Sequence, residues 1–375
     1  MFGVYIHIPF CRKACTYCNF HFSTNLRNTD DMIRAISGEI ELTALPPQGI
    51  KTLYFGGGTP SLLAPSALKI LFEALKEKTD FSGMTEITLE CNPEDIRIES
   101  LKSWKDLGIS RLSLGLQSLN NAELQAMNRA HTAEQSLKSL ALIGEFGGFE
   151  VSVDLIYGTP WKTDQEWQQE LEFILNLDHV QHLSAYALSI ESKTQLAFQI
   201  KAGTVLAGKD ERMIAQFELL QHEIQERGWE AYEISNYCRK QHRAIHNSHY
   251  WTFVPYYGFG PSAHSFDGHQ QRYHNHANNA RYLSEINAAQ LPRIEERLSD
   301  ADCLNERLMT GLRTIDGVEI AQLHRFHGDW ERENRQQILH FIEQGLLYKV
   351  GDALQLSASG KLISDRIISD LMWVE

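Results

Sequence analysis

The first two-thirds of the chain alternates short apolar runs with longer amphipathic stretches. Six runs have strand length and strand composition: residues 4–8, 52–55, 86–91, 111–115, 150–156 and 182–188. Between them, apolar residues recur at helical spacing over 31–44, 65–78, 98–107, 132–146 and 165–175. Pro65 suits a helix start, because its missing N–H would be unpaired there anyway. Strands separated by helices imply right-handed βαβ units and a parallel sheet. Six such units predict an α/β fold, a partial (β/α)6-type barrel. In parallel barrels the chemistry sits at the C-terminal ends of the strands.

The pattern changes near residue 210. A helix over 211–227 leads to a short strand near Tyr232. A stretch rich in His, Tyr and Gly follows over 237–276, with little periodicity. A loop that long is either functional or hides unrecognised elements. Beyond Leu298 the spacing predicts helices over 301–312, 318–326 and 330–344. A hairpin over 346–350 and 353–356, turned at Gly351-Asp352, and a last helix over 361–372 complete the chain. Three helices with a hairpin predict a winged-helix-like module. The expected division is a core over 1–236, a connecting region over 237–296 and a C-terminal module over 297–375.

Composition narrows the class. The chain has 375 residues, 43% of them hydrophobic and 22% charged, as in ordinary globular proteins. Its formal net charge of −13 speaks against a general nucleic-acid surface, which needs clustered Lys and Arg. A structural or partner-docking role for the winged module is therefore expected over DNA binding. No apolar run is long enough to span a bilayer, and no signal-peptide pattern precedes residue 11. A cytoplasmic location is expected. The reducing cytosol also suits six cysteines without a disulfide framework.

Three of those cysteines carry the strongest signal. Cys11, Cys15 and Cys18 follow the first strand at C-x3-C-x2-C. Three thiolates on one short loop can hold three irons of a [4Fe–4S] cluster. The fourth iron stays open, as a catalytic metal site requires. The competing reading is zinc completed by His7 or His21. Structural zinc wants four ligands, and no second C-x2-C is present.

Other residues collect at strand ends. Gly56-Gly57-Gly58-Thr59-Pro60 follows the second strand, where glycines allow close backbone approach. Glu90 ends the third strand and Gln117 follows the fourth. Asn128-Arg129 closes the next helical stretch. Asp154 interrupts the apolar fifth strand, which costs several kcal/mol unless the carboxylate finds partners. A structural Arg129–Asp154 ion pair is the simplest alternative to a ligand site.

Taken together, the motifs resemble those of the radical SAM (S-adenosylmethionine) proteins. They are Tyr5-x-His-Ile-Pro-Phe-Cys11, Phe55-Gly-Gly-Gly-Thr-Pro60, the Gln117 segment, Asp154-Leu-Ile-Tyr-Gly158, Glu233-Ile-Ser-Asn236 and Met309-x-Gly-Leu-Arg313. Within that superfamily the chain is similar to the oxygen-independent coproporphyrinogen III dehydrogenases and their relatives, the HemW-type haem chaperones. The resemblance implies a [4Fe–4S] cluster and SAM as cofactors. It implies that Tyr5, Tyr17, Gly57, Gly58, Thr59 and Glu90 contact the cluster-bound SAM. It further implies that Gln117, Arg129 and Asp154 line a neighbouring SAM site.

Two departures separate the branches. The dehydrogenases read C-x3-C-x2-C-x-C, and here Phe20 holds the last position. They also carry an N-terminal extension, and here only Met1 to Gly3 precede the first strand. On the other side, His246-Asn247-Ser248-His249-Tyr250-Trp251 matches the chaperones' H-N-x-x-Y-W motif. Neutral imidazole is an ordinary axial ligand of haem iron, and aromatic side chains can cover a macrocycle. Haem is thus the implied third ligand, with His246 preferred over His249. The expected function is haem binding and delivery to acceptor haem proteins, respiratory and membrane-associated ones among them, with homodimerisation as one role for the cluster. The rival reading is an enzyme that decarboxylates coproporphyrinogen III to protoporphyrinogen IX. A DNA-binding regulator with the cluster as sensor is the third.

Overall fold

Along the six strand runs, apolar residues alternate with polar ones, and the fold turns the two sets to opposite sides. The computed structural model describes residues 1–46 and 49–374. The strands β1 (Phe2–Ile8), β2 (Ile50–Gly57), β3 (Glu86–Cys91), β4 (Arg111–Gln117), β5 (Glu150–Tyr157) and β6 (His182–Ala187) pair in parallel in that order. Val4, Leu53, Leu89, Leu112, Val153 and Leu183 point outward and are fully buried. They form one core with Ile36, Leu71, Leu101, Leu140 and Leu171 of the covering helices. Those helices are α1 (Thr29–Leu42), α2 (Pro65–Lys78), α3 (Ile98–Asp106), α4 (Asn121–Ala126), α5 (Ala133–Phe146) and α6 (Asp164–Leu175). Capping boxes start two of them, Thr132 with Gln135 and Thr163 with Glu166. The short α4 is the helical stretch expected before Asn128-Arg129.

The segment from 195 to 297 is no linker. It forms α7 (Gln195–Lys201), α8 (Asp210–Glu226), β7 (Glu230–Ala231), β8 (Asn236–Cys238), α9 (Ile245–Trp251), β9 (Tyr256–Phe259), β10 (His264–Phe266), β11 (Gln271–Asn275), α10 (Asn279–Asn287) and β12 (Arg293–Arg297). The sheet runs β12-β11-β10-β9-β1-β2-β3-β4-β5-β6-β8-β7. So the stretch expected to connect two domains, 237–296, instead extends the core sheet past β1 and past β6. Its strands are three to five residues long, which is too short for an alternation signal. The sheet keeps two free edges and is an open, partial barrel.

The helix α9 closes the N-terminal end of this barrel. The amides of Ile245 and His246 donate to the two carboxylate oxygens of Glu86, at 2.8 and 2.9 Å. A carboxylate there also meets the positive end of the helix dipole.

The C-terminal module consists of α11 (Asp300–Leu312), β13 (Val318–Glu319), α12 (Ile320–Leu323), α13 (Trp330–Glu343), β14 (Leu347–Val350), β15 (Ala353–Leu356), α14 (Ala358–Leu362) and α15 (Ser364–Leu371). The three strands form a small sheet, β13-β15-β14, in the winged-helix manner. Two expected helices come out differently. The stretch 318–326 opens with a strand and holds only one helical turn, and 361–372 is broken at Ile363. Glu375 lies outside the described residues. The module has its own core, built on Leu308, Trp330, Phe341 and Ile367. It is joined to the barrel by a two-point Arg272–Glu306 pair at 2.6 and 2.7 Å and by Arg243–Asp316 at 3.2 Å. No helix among the described residues is long and apolar enough to cross a membrane.

Glu86→Ala leaves two amides of α9 without their acceptor. The expected cost is about 1–3 kcal/mol, read as a lower urea midpoint at unchanged slope. An unaltered midpoint would show that Glu86 does not hold α9 in place.

Candidate functional site

At the C-terminal ends of β1 to β6 lies a chamber of about 480 Å3. Cys11, Cys15 and Cys18 line it together with Tyr17, Phe20, Gly57, Gly58, Thr59, Glu90, Gln117, Arg129 and Asp154. Residues far apart in the sequence meet here because each ends or follows a neighbouring strand.

Backbone hydrogen bonds hold the cysteine loop in shape. Cys11 N–H donates to Ser23 O at 3.1 Å and Thr16 N–H to Met127 O at 3.1 Å. The Asn128 side chain donates to Ala14 O at 2.8 Å, and Leu196 N–H to Thr16 O at 2.8 Å. All three sulfurs are partly exposed and unbridged. Burial pushes the Cys11 thiol up to about 11, against a hydrogen bond from Thr59 that lowers it. Burial likewise raises Cys18. Metal binding must therefore displace protons here. Among the described residues, no three His, Cys, Asp or Glu side chains converge on a single-ion site. An iron–sulfur cluster makes no such demand, since each thiolate takes a different iron.

The glycine segment is bound directly to that loop. Gly58 N–H donates to Ile8 O and Thr59 N–H to Phe10 O, both at 2.8 Å. Gly57 has φ +104°, and a Cβ there would lie 2.5 Å from the His7 ring. A Cβ on Gly58 would lie 2.5 Å from Phe10 O and 2.7 Å from Ile8 O. Only glycine permits this approach.

The charged groups are half-buried in the chamber wall. Glu90 accepts from Tyr54 Oη at 2.7 Å and from Gly57 N–H at 3.1 Å. Burial raises its carboxyl to about 7. Asp154 accepts from Ser113 Oγ at 3.2 Å, and burial raises it to about 6. The alternative Arg129–Asp154 pair does not form. Arg129 instead donates to Cys15 Sγ at 3.3 Å, Asn92 Oδ1 at 2.8 Å and Gly115 O at 2.9 Å. Its guanidinium thus stands beside the cysteine loop, where it would offset negative charge. Gln117 sits at φ +65° on the rim.

Two of the candidate residues lie elsewhere. Tyr5 and His246 border a second cavity of about 230 Å3 deeper in the barrel, which shares Glu90, Ser113, Asp154 and Tyr186 with the first. His246 is almost fully buried. Its Nδ1 pairs with Thr52 Oγ1 at 2.8 Å and its Nε2 with Tyr250 Oη at 2.8 Å. Its ring stacks on Tyr54, with centroids 5.1 Å apart. Both nitrogens are therefore engaged, and burial lowers the imidazole to about 3. His249 is half-exposed and has only a long contact, 3.4 Å from Nδ1 to Thr52.

Sequence reasoning passed over Tyr54, Asn92, Ser113 and Arg111, which hold the carboxylates and Arg129 or line the deeper cavity. A signal existed: each is a polar residue on or just after a strand otherwise committed to the core.

Comparison with known proteins gives the following. Residues 5–174 match the Radical SAM superfamily model, and residues 298–363 match the HemN C-terminal domain. The chain is 32% identical to the heme chaperone HemW of Mycobacterium tuberculosis (strain ATCC 25618 / H37Rv), across 99% of this chain and 95% of that one. It is 30% identical to the heme chaperone HemW of Bacillus subtilis (strain 168), across 98% of each. In fold it is similar to the coproporphyrinogen III oxidase HemN of Escherichia coli, a radical SAM enzyme, with a TM-score of 0.84 at 21% identity over 99% of this chain and 89% of that one.

Two outcomes are expected. Gly58→Ala displaces the cysteine loop, so reconstituted protein should hold much less iron and sulfide than the wild type; equal content would remove the proposed steric role of Gly58. Glu90 supplies a pH test. Unfolded, it releases its proton near 4.5; folded, near 7. The native state then binds more protons between these values, and stability falls as pH rises through them. Glu90→Gln should reduce that slope without abolishing it, because Asp154 and Glu39 titrate in the same window. An unchanged slope in urea midpoints would contradict the assignment.

Proposed function

The chain belongs to the heme chaperone HemW family of radical SAM proteins, and on that premise we propose that it binds haem and delivers it to acceptor haem proteins. The observation that carries this reading is similarity to HemW proteins along the full chain. In the same chamber Phe20, 68% exposed, stands where the dehydrogenase pattern has a further cysteine.

Membership in the superfamily implies a [4Fe–4S] cluster with SAM. In our reading Cys11, Cys15 and Cys18 hold the cluster, which supplies an open iron for SAM. Gly57, Gly58 and Thr59 present backbone to the methionine part. Glu90 takes the ribose hydroxyls, and Tyr17 bounds the site. Gln117, Arg129 and Asp154 serve an adjoining SAM position. Tyr5 acts from one layer below, by packing against Tyr54, which bonds Glu90. Every one of these residues falls within 1–236. Residues 237–296 supply the H-N-x-x-Y-W helix, and the acidic 297–375 module docks on the acceptor. His246 belongs to the haem-contacting helix, and iron ligation by it requires α9 to release Thr52 and Tyr250. We place the protein in the cytoplasm, as a homodimer in one state of its cycle, with membrane-associated respiratory haem proteins as acceptors.

The test is an anaerobic haem titration followed by absorbance, with coproporphyrinogen III turnover measured on the same preparation. Saturable, stoichiometric haem binding without turnover is expected. Turnover without specific haem binding would replace this reading with the decarboxylase.

A further inference from the structure

Most imidazoles on the inner side of the sheet are fully occupied by the fold. His7 pairs with Tyr5 Oη at 3.1 Å and His21 O at 2.8 Å. His182 pairs with Ser152 Oγ at 2.7 Å and Tyr232 Oη at 2.8 Å. His246 uses both nitrogens as described. His264 and His274 differ. They face each other across β10 and β11, with ring centroids 5.4 Å apart and planes 22° from parallel. No hydrogen bond among the described residues holds either ring. His264 is exposed and His274 half-buried.

Register places the pair. Gly3 lies opposite Tyr256, and Tyr256 opposite Phe266. His264, two residues before Phe266, therefore lies on the same inner face as Gly3 and Tyr5. His7, four residues before Cys11, follows Tyr5 on that same face of β1. Beyond His274, its partner Ile294 on β12 is 44% exposed and offers apolar surface.

The ligand count selects the metal. A structural or catalytic zinc takes three or four protein ligands, and no three such side chains converge among the described residues. Haem brings its own equatorial nitrogens and needs only axial ones from protein. We propose that the His264–His274 pair is the haem-iron site, with His264 supplying an axial nitrogen, His274 stacked behind it and Ile294 against the macrocycle. This rests on the haem-chaperone reading.

The experiment is an anaerobic haem titration of the full-length protein as wild type, His264→Ala/His274→Ala and His246→Ala. The double variant should bind haem roughly tenfold more weakly or worse and lose the absorbance signature of imidazole ligation. Free imidazole should restore that signature, which a merely structural effect would not permit. Loss of that signature in His246→Ala, with the double variant unchanged, would return the iron to α9 and overturn the proposal. The partly exposed strand positions tolerate His264→Gln/His274→Gln as a second variant with the same expected loss. Unchanged affinity and spectrum in the double variants would overturn the proposal. So would Ni2+ binding that depends on the pair while haem binding does not. Wild-type protein without specific haem binding would remove the haem reading itself, and this site with it.

Discussion

A parallel sheet covered by helices normally reads as near-continuous apolar runs, because both faces are buried away from water. In this protein the inner face is polar, and every buried polar group on it needs a partner. Tyr54 and Gly57 serve Glu90, Ser113 serves Asp154, and Glu150 serves Arg111 at 3.0 Å. The outer face, Val4 through Leu183, supplies the hydrophobic core that supports this arrangement. The chambers lie where inward polar side chains pair with neighbours on the same face and leave open space between them.

The two ends of the barrel are built by different parts of the chain. At the C-terminal end, close backbone contact between the Gly57-Gly58-Thr59 segment and the cysteine loop brings the thiols and the carboxylates to one chamber. At the N-terminal end α9 is seated on Glu86 and Thr52. The module over 297–375 braces this end from outside through Glu306 and Asp316. The two cavities meet at Glu90, Ser113, Asp154 and Tyr186. Chemistry at the cysteine loop and the placement of the H-N-x-x-Y-W helix thus share one continuous polar interior.

Much of this was legible beforehand. The six strands and five helices of the barrel lie close to the residues that periodicity assigns them, since each is long enough for a repeat of two or 3.6 to register. The same holds for α11, α13 and the β14–β15 hairpin. The cysteine spacing, the glycines, Glu90 and Gln117 stand out at strand ends, Asp154 because it interrupts an apolar strand and Arg129 because it closes a helical stretch. The short strands β8 to β12 do not, having three to five residues each and pairing that depends on β1 and β6 being present already.

The amino-acid order by itself determined which residues are inward and which outward, because side chains alternate along a strand whatever its neighbours are. It also determined that three thiols share one loop. Only the tertiary structure decided who pairs with whom. Arg129 turned to Cys15 and Asn92 and away from Asp154, because the turn after α4 carries it over the cysteine loop. His246 became a buried, doubly bonded wall residue because α9 lies beneath β2, whereas His264 and His274 were left free by the register of β10 and β11. Distances between residues remote in the chain are set by packing and register, and neither is written in local spacing.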